Sequence, residues 1–182
     1  MMAQTDINIA GVGGQGSILA GVILGTAAVT YDKKYAVQTQ AYSSELRGGF
    51  AATWVIISDD PVGFPRVTAP DILVAQAQDA INRFAKVLKP KGLLIIDSDM
   101  IPEPPAGIER VVRVPATSIA RNELKAPVVA NMVILGALWQ AARIVSREAL
   151  EKAIGDFVPR GKEKLNLDAF ERGARAVENQ NV

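Results

Sequence analysis

The chain has 182 residues, 49% of them hydrophobic but only 5% aromatic, with 20 basic against 19 acidic side chains and neither cysteine nor histidine. That length suits one α/β domain, read here as a single unit over 1–182, and an Ala/Val/Ile/Leu-rich composition suits a layered core. A net charge of +1 offers no basic field to nucleic acid. Without Cys or His the chain supplies no thiolates to an iron–sulfur cluster, no cysteine nucleophile and no Ser-His-Asp triad.

Met1 to Asp6 shows no basic n-region of a signal peptide. The apolar run from Ser17 to Val29 is shorter than the roughly 20 residues a membrane span needs. The expectation is a cytoplasmic chain with no membrane partner.

In chain order, Ile7–Ala10 reads as a first, buried strand and Gln15 to Tyr31 as a helix apolar on nearly all sides. Such a helix is covered on more than one face, here by the sheet and by something else such as another subunit. Tyr35–Gln40 is a second strand whose alternation puts Gln38 and Gln40 on one face. Residues 41–49 form a loop and Phe50–Ile57 a third strand. The loop is too short for a helical crossover, so strands two and three run antiparallel.

Asp71–Ala75 and Leu93–Asp97 are short apolar runs of the kind buried in parallel sheets, separated by a helix over Ala77–Leu88. Glu109–Val114 is a sixth strand, and Ala116–Asn122 a short helix. Pro127 starts a long helix to Ile144. Ser146 caps a helix over Arg147–Phe157, and Glu163–Val177 closes the chain. The expected fold is three-layer αβα and Rossmann-like, with a mixed, mainly parallel sheet and a helical C-terminal part.

Two glycine-rich stretches carry the candidate site. Gly11-Val12-Gly13-Gly14-Gln15-Gly16 lies between a strand and a helix, where glycines permit a sharp turn and the helix start offers free N–H groups to an anion. A dinucleotide site would also need an acid at the end of strand two, where Gln40 stands; Asp32 precedes that strand. In Tyr42-Ser43-Ser44-Glu45-Leu46-Arg47-Gly48-Gly49, Arg47 presents a permanent, forked cation beside two glycines. Loops after strands one and two share the carboxyl edge of a doubly wound sheet, so the two stretches should be neighbours. The bland alternative is a solvated turn whose glycines serve only the backbone.

Together these stretches resemble the gamma subunit of 2-oxoacid:ferredoxin oxidoreductases. The similarity rests on Ile9–Gly16, Val37–Tyr42 and Glu45–Gly49. It continues in order through Asp97-Ser98-Asp99, Val114–Thr117, Ala130-Asn131-Met132-Val133, Leu135-Gly136-Ala137 and Asn166–Phe170. Ser43 and Ser44 replace the Gly-Pro usual in the family's second loop. Leu46 before Arg47 departs from the indolepyruvate branch, and the doubled arginine of the pyruvate branch is absent.

The resemblance implies a role beside alpha and beta subunits and a ferredoxin-like delta subunit. Such enzymes decarboxylate a 2-oxoacid, here of the 2-oxoglutarate or ketoisovalerate type, on thiamine diphosphate. They pass electrons through iron–sulfur clusters to ferredoxin and form an acyl-CoA. It implies no catalytic residue and no metal on this chain, whose cofactors sit mainly on partners. Gly11, Gly13, Gly14, Gln15, Gly16, Glu45, Arg47, Gly48 and Gly49 are then the candidates for contact with coenzyme A or with the partner interface. Two other readings stand beside it: a stand-alone dinucleotide-binding reductase, and a purely structural subunit docking through helices 17–30 and 128–142.

Overall fold

The computed structural model describes residues 4–43 and 49–180. Six strands form one sheet in the order β2-β3-β1-β4-β5-β6. They are β1 (Thr5–Val12), β2 (Tyr35–Tyr42), β3 (Phe50–Ser58), β4 (Ile72–Ala75), β5 (Leu93–Asp97) and β6 (Arg110–Val114). β3 pairs antiparallel with both β1 and β2, while β1, β4, β5 and β6 pair in parallel, so β3 alone runs against the rest. The antiparallel pairing of β2 and β3 and the mainly parallel sheet are as the sequence predicts. The strand order is not that of a dinucleotide fold, because β3 sits between β1 and β2.

β1 is longer than its apolar core predicts. Its register with β3 runs from Thr5 opposite Ile57 to Val12 opposite Phe50, which draws Gly11 and Val12 out of the expected turn and into the strand.

α1 (Ser17–Thr26) starts two residues later than expected because Gly16 holds a left-handed φ of 74°. It runs into a π-helical turn at Ala27–Tyr31. The remaining helices are α2 (Gln78–Phe84), α3 (Ala116–Ser118), α4 (Ala130–Ala142), α5 (Arg147–Phe157) and α6 (Glu163–Val177). Pro127 opens a short 3₁₀ turn rather than α4 itself. α4 ends at Ala142, where Arg143 turns left-handed, two residues short of the expected end. Ser146 caps α5 as predicted, accepting from the Ala149 N–H at 3.2 Å.

Alternation along the strands sorts two cores. Ile7, Ile9, Val55, Val74 and Ile95 face α1, α4, α5 and α6. Ala10, Leu73, Leu94 and Ile96 face α2 and Ile101. The second cover of apolar α1 is largely this chain's own α4 and α5 rather than another subunit, though Leu19 and Val29 remain exposed.

Asn8 departs from this pattern. It lies on the α2 side of β1, fully buried, and neither its Nδ2 nor its Oδ1 has a hydrogen-bond partner among the described residues. A buried amide left unpaired costs about 1–3 kcal/mol. Asn8→Leu is therefore expected to raise stability by about 1–2 kcal/mol, read as a higher urea midpoint at an unchanged m-value. A lower midpoint would show that Asn8 is satisfied in solution.

Candidate functional site at the carboxyl edge of the sheet

β1 and β4 are parallel neighbours whose following helices, α1 and α2, cover opposite faces of the sheet. That is a topological switch point, the place where an α/β sheet opens a crevice for ligands. In this chain the crevice is filled from within. Gln15 folds back so that its Oε1 accepts from the Val12 N–H at 2.8 Å and its Nε2 donates to the Gln76 carbonyl at 2.9 Å. The Ser17 hydroxyl donates to Gln76 Oε1 at 2.5 Å, and Gln76 Nε2 reaches the Gln15 carbonyl at 3.3 Å. Ser17 and Gln76 are almost wholly buried. A methyl group on Gly11 would overlap Gln15 Oε1, so Gly11 leaves room for this side chain rather than for a pyrophosphate.

Gln76 has no sequence motif around it. The only signal is a polar residue directly after the apolar run of β4, opposite the glycine turn.

The donors of the turn divide into used and free. Val12 N–H serves Gln15, Gly13 N–H donates to the Gly49 carbonyl at 2.7 Å, and Gln15 N–H returns to the Val12 carbonyl at 3.1 Å. The N–H groups of Gly14 and Gly16 have no partner among the described residues, and they sit at the start of α1, where the helix dipole favours negative charge. Of the second stretch, Gly49 is thus joined directly to the first, as the shared edge predicts. Glu45, Arg47 and Gly48 lie outside the described residues.

Asn131 explains itself at this turn. It stands at the start of α4, buried, with its amide packed against Gly16. A groove of about 430 Å³ opens beside the turn, walled by Gly14, Gly16, Leu19, Val128, Asn131 and Phe157, with Lys162 on its rim.

Asp97-Ser98-Asp99 continues the same edge. Asp97 ends β5 and accepts the Thr117 hydroxyl at 2.6 Å and the Asp99 N–H at 3.2 Å. Asp99 accepts both the Ser118 N–H at 2.6 Å and its hydroxyl at 2.9 Å. Two carboxylates therefore receive the first turn of the helical segment over 116–123, an arrangement that suits a helix start electrostatically. Burial pushes the Asp97 carboxyl above the ordinary carboxylate range, against the Thr117 hydroxyl, which pulls it down.

A raised folded-state pKa means stability that is present below the unfolded value, near 3.9, and lost as pH rises through the folded one. Asp97→Asn cannot titrate. The stability of the native chain relative to this variant is therefore expected to decline as pH rises above about 4 and then level off. Urea titrations between pH 4 and 7.5 check this; a gap that widens in favour of Asp97 with rising pH would contradict it.

Among the described residues, no group of three or more Asp or Glu side chains is placed to hold a metal ion. No helix among them is long and apolar enough to cross a membrane. The switch point closed by Gln15 and Gln76, the separation of β2 from β1 and the exposed Gln40 in place of an acid all weigh against the dinucleotide reading.

Residues 6–176 match the pyruvate ferredoxin/flavodoxin oxidoreductase family, and the chain belongs to it. A 2-oxoglutarate synthase subunit KorC from Methanocaldococcus jannaschii is 48% identical over 172 residues, covering 93% of this chain and 92% of that protein. A crystallised gamma subunit of a keto/oxoacid ferredoxin oxidoreductase from Geobacter sulfurreducens superposes with a TM-score of 0.87 at 40% identity, covering 96% of this chain and 97% of that one. The fold recurs, at 24% identity and a TM-score of 0.86, within 2-oxoglutarate:ferredoxin oxidoreductase from Magnetococcus marinus. There it spans all of this chain and 32% of the larger one. Within the family this chain is a gamma-type subunit: one part of a multi-subunit oxidoreductase, and not catalytic alone.

Proposed function

We propose that the chain serves a cytoplasmic 2-oxoacid:ferredoxin oxidoreductase that oxidatively decarboxylates 2-oxoglutarate to its acyl-CoA. Its partners in this reading are alpha, beta and ferredoxin-like delta subunits. The choice of 2-oxoacid rests on likeness to proteins named 2-oxoglutarate synthase subunits, at 48% and 47% identity in two methanogens. Thiamine diphosphate and the iron–sulfur clusters belong to the partner subunits in this reading, in line with a sequence that has no cysteine. Residues 1–182 act as one unit.

The observation that carries the site is the 2.7 Å bond from Gly13 to Gly49, which ties the two glycine-rich stretches together at the carboxyl edge. On this reading Gly11 and Gln15 shape the turn. Gly13 and Gly49 fix the second loop to it. Gly14 and Gly16 offer free N–H groups to an anion. Glu45, Arg47 and Gly48 belong to the same contact in this reading, in which the Arg47 fork pairs a phosphate of coenzyme A and Glu45 pairs with Arg47 or with a partner chain.

A charge-assisted pair to phosphate contributes about 1.5–3 kcal/mol. Arg47→Ala is therefore expected to raise the KM for coenzyme A by roughly 10- to 100-fold in the assembled complex, with the KM for the 2-oxoacid unchanged. If assembly and the KM for coenzyme A are both unchanged, the contact does not exist. If assembly alone fails, the loop is a docking element, which is the purely structural reading.

A further inference from the structure

The sheet has two edges, and the chain treats them differently. On the β6 edge, the Gln180 side chain takes the place of a neighbouring strand. Its Oε1 accepts from the Arg113 N–H at 2.9 Å and its Nε2 donates to the Arg113 carbonyl at 2.6 Å. Arg110 and Arg113 add charge to that edge. Among the described residues, no side chain caps β2 in this way. It is eight residues long, with neither a proline nor a charged side chain between Tyr35 and Tyr42, and both tyrosines are exposed. Native sheets rarely leave so long and neutral an edge bare, because its main chain is a template for another strand.

The hydrogen-bond phase identifies which groups are bare. Gly13 bonds Gly49 and Ser43 bonds Phe50, so odd residues of β3 serve β1 and even residues serve β2. Ladder bonds alternate in antiparallel pairs, so Tyr35, Val37, Thr39 and Ala41 bond to β3. Ala36, Gln38, Gln40 and Tyr42 then turn their N–H and C=O groups outward.

We infer that this edge pairs antiparallel with β2 of a second copy of the chain, on a two-fold axis at Thr39. A two-fold contact brings the same patch together twice, so the strand must complement itself read backwards. Outward-facing residues must meet outward-facing ones, which allows only registers that centre on a residue. Centred on Thr39, the four pairs that lie wholly within β2 match in kind: Thr39 meets Thr39, Gln38 meets Gln40, Val37 meets Ala41 and Ala36 meets Tyr42. Centred on Gln38, Ala36 would face Gln40 and Val37 would face Thr39, an apolar residue against a polar one each time.

Charge adds a second, independent argument. α1 lies over this edge, with the Ile18 carbonyl accepting from Gln38 Nε2, and no charged residue occurs from Ser17 to Tyr31 or from Tyr35 to Ser43. A second copy can approach without like-charge repulsion. The two sheets then form one continuous sheet across the axis.

The chain has no cysteine, so one introduced thiol reports the register. Thr39 sits at a non-hydrogen-bonded position of the new pair, where Cα atoms lie about 4.5 Å apart, within reach of a disulfide. The full chain and the complex are oxidised mildly and run on a non-reducing gel. Thr39→Cys is expected to give a dimer of this chain. Ala36→Cys is expected to give none, because its two copies would stand six residues, roughly 20 Å, apart along the strand. Thr39→Lys sets two like charges face to face without touching the β3 ladder, and it is expected to convert dimer to monomer in sedimentation with an unchanged circular-dichroism spectrum.

Cross-linking at 36 as readily as at 39, or none at 39 in either preparation, overturns the inference. So does a Thr39→Lys chain that stays dimeric. A Thr39→Lys variant that loses the other subunits while this chain was never paired with itself assigns the edge to a partner and also overturns it.

Discussion

Gly136→Ala is expected to lower the stability of the chain by about 3 kcal/mol, the upper part of the range for overpacking a close-packed interior. For a domain of this size that corresponds to a fall in Tm of roughly 6–12 °C. α4 and α6 cross with their backbones in contact. A methyl on Gly136 would be driven into the Phe170 carbonyl, and one on Gly173 into the Val133 carbonyl. Both obstacles are main chain inside helices, so no rotamer change relieves them. The helices must separate, and with them the packing of Trp139 on Phe170, whose ring centroids lie 5.8 Å apart.

Gly155→Ala in α5 provides the opposite sign. A Cβ there meets nothing within 4 Å, so the change removes only the backbone entropy of glycine and is expected to stabilise by about 0.5–1 kcal/mol. Thermal scans of the two variants decide the matter. Equal and small effects would show that α4 and α6 are not held at the separation described.

Gly16→Ala has the second largest expected effect, also about 3 kcal/mol, from two separable causes. Its φ of 74° is left-handed, which costs a non-glycine residue about 1–2 kcal/mol. Its side chain would also overlap the amide of Asn131, whose Cβ lies 3.0 Å from the added atom, so rotation of the amide alone does not clear it. Gly14, with φ of 96° but open space around it, isolates the backbone part, and Gly14→Ala is expected to lose about half as much. Pairing Gly16→Ala with Asn131→Ala removes the amide and leaves the Cβ contact, so it should recover the amide's share of the steric cost, seen as non-additivity in urea denaturation. Strict additivity would mean that Asn131 does not press on the turn.

Much of this fold is legible along the sequence because its signals are local. The apolar runs of β4 and β5, the antiparallel return of β3 after a short loop, the Ser146 cap and the polar-apolar rhythm of α6 each depend on neighbours in the chain. The insertion of β3 between β1 and β2 does not. It is set by the pairing of Val12 with Phe50 and of Thr5 with Ile57, and no residue announces it. The same pairing explains why Gly11 ends in a strand.

Asp32, out of place for a ribose, turns out to accept from the Ser146 N–H and hydroxyl, both at 2.6 Å, fixing the cap of α5. Gly136 and Gly173 gain their meaning only when α4 and α6 meet. Of the site, the two glycine-rich stretches and their adjacency are readable in advance, because both follow strands of one direction. The Gln15–Gln76–Ser17 plug is not readable, since Gln76 lies 61 residues beyond Gln15 and carries no motif of its own.

The most direct test of the function is to tag this chain in its native host, purify it gently, and assay the eluate for reduction of a viologen dye that depends on both a 2-oxoacid and coenzyme A. Iron-containing partner subunits are expected to co-purify, and 2-oxoglutarate is expected to drive the reduction in preference to pyruvate or 2-oxoisovalerate. Elution of the chain alone, without such activity, would contradict the function; the same activity driven by a different 2-oxoacid would overturn the substrate and leave the class of enzyme standing.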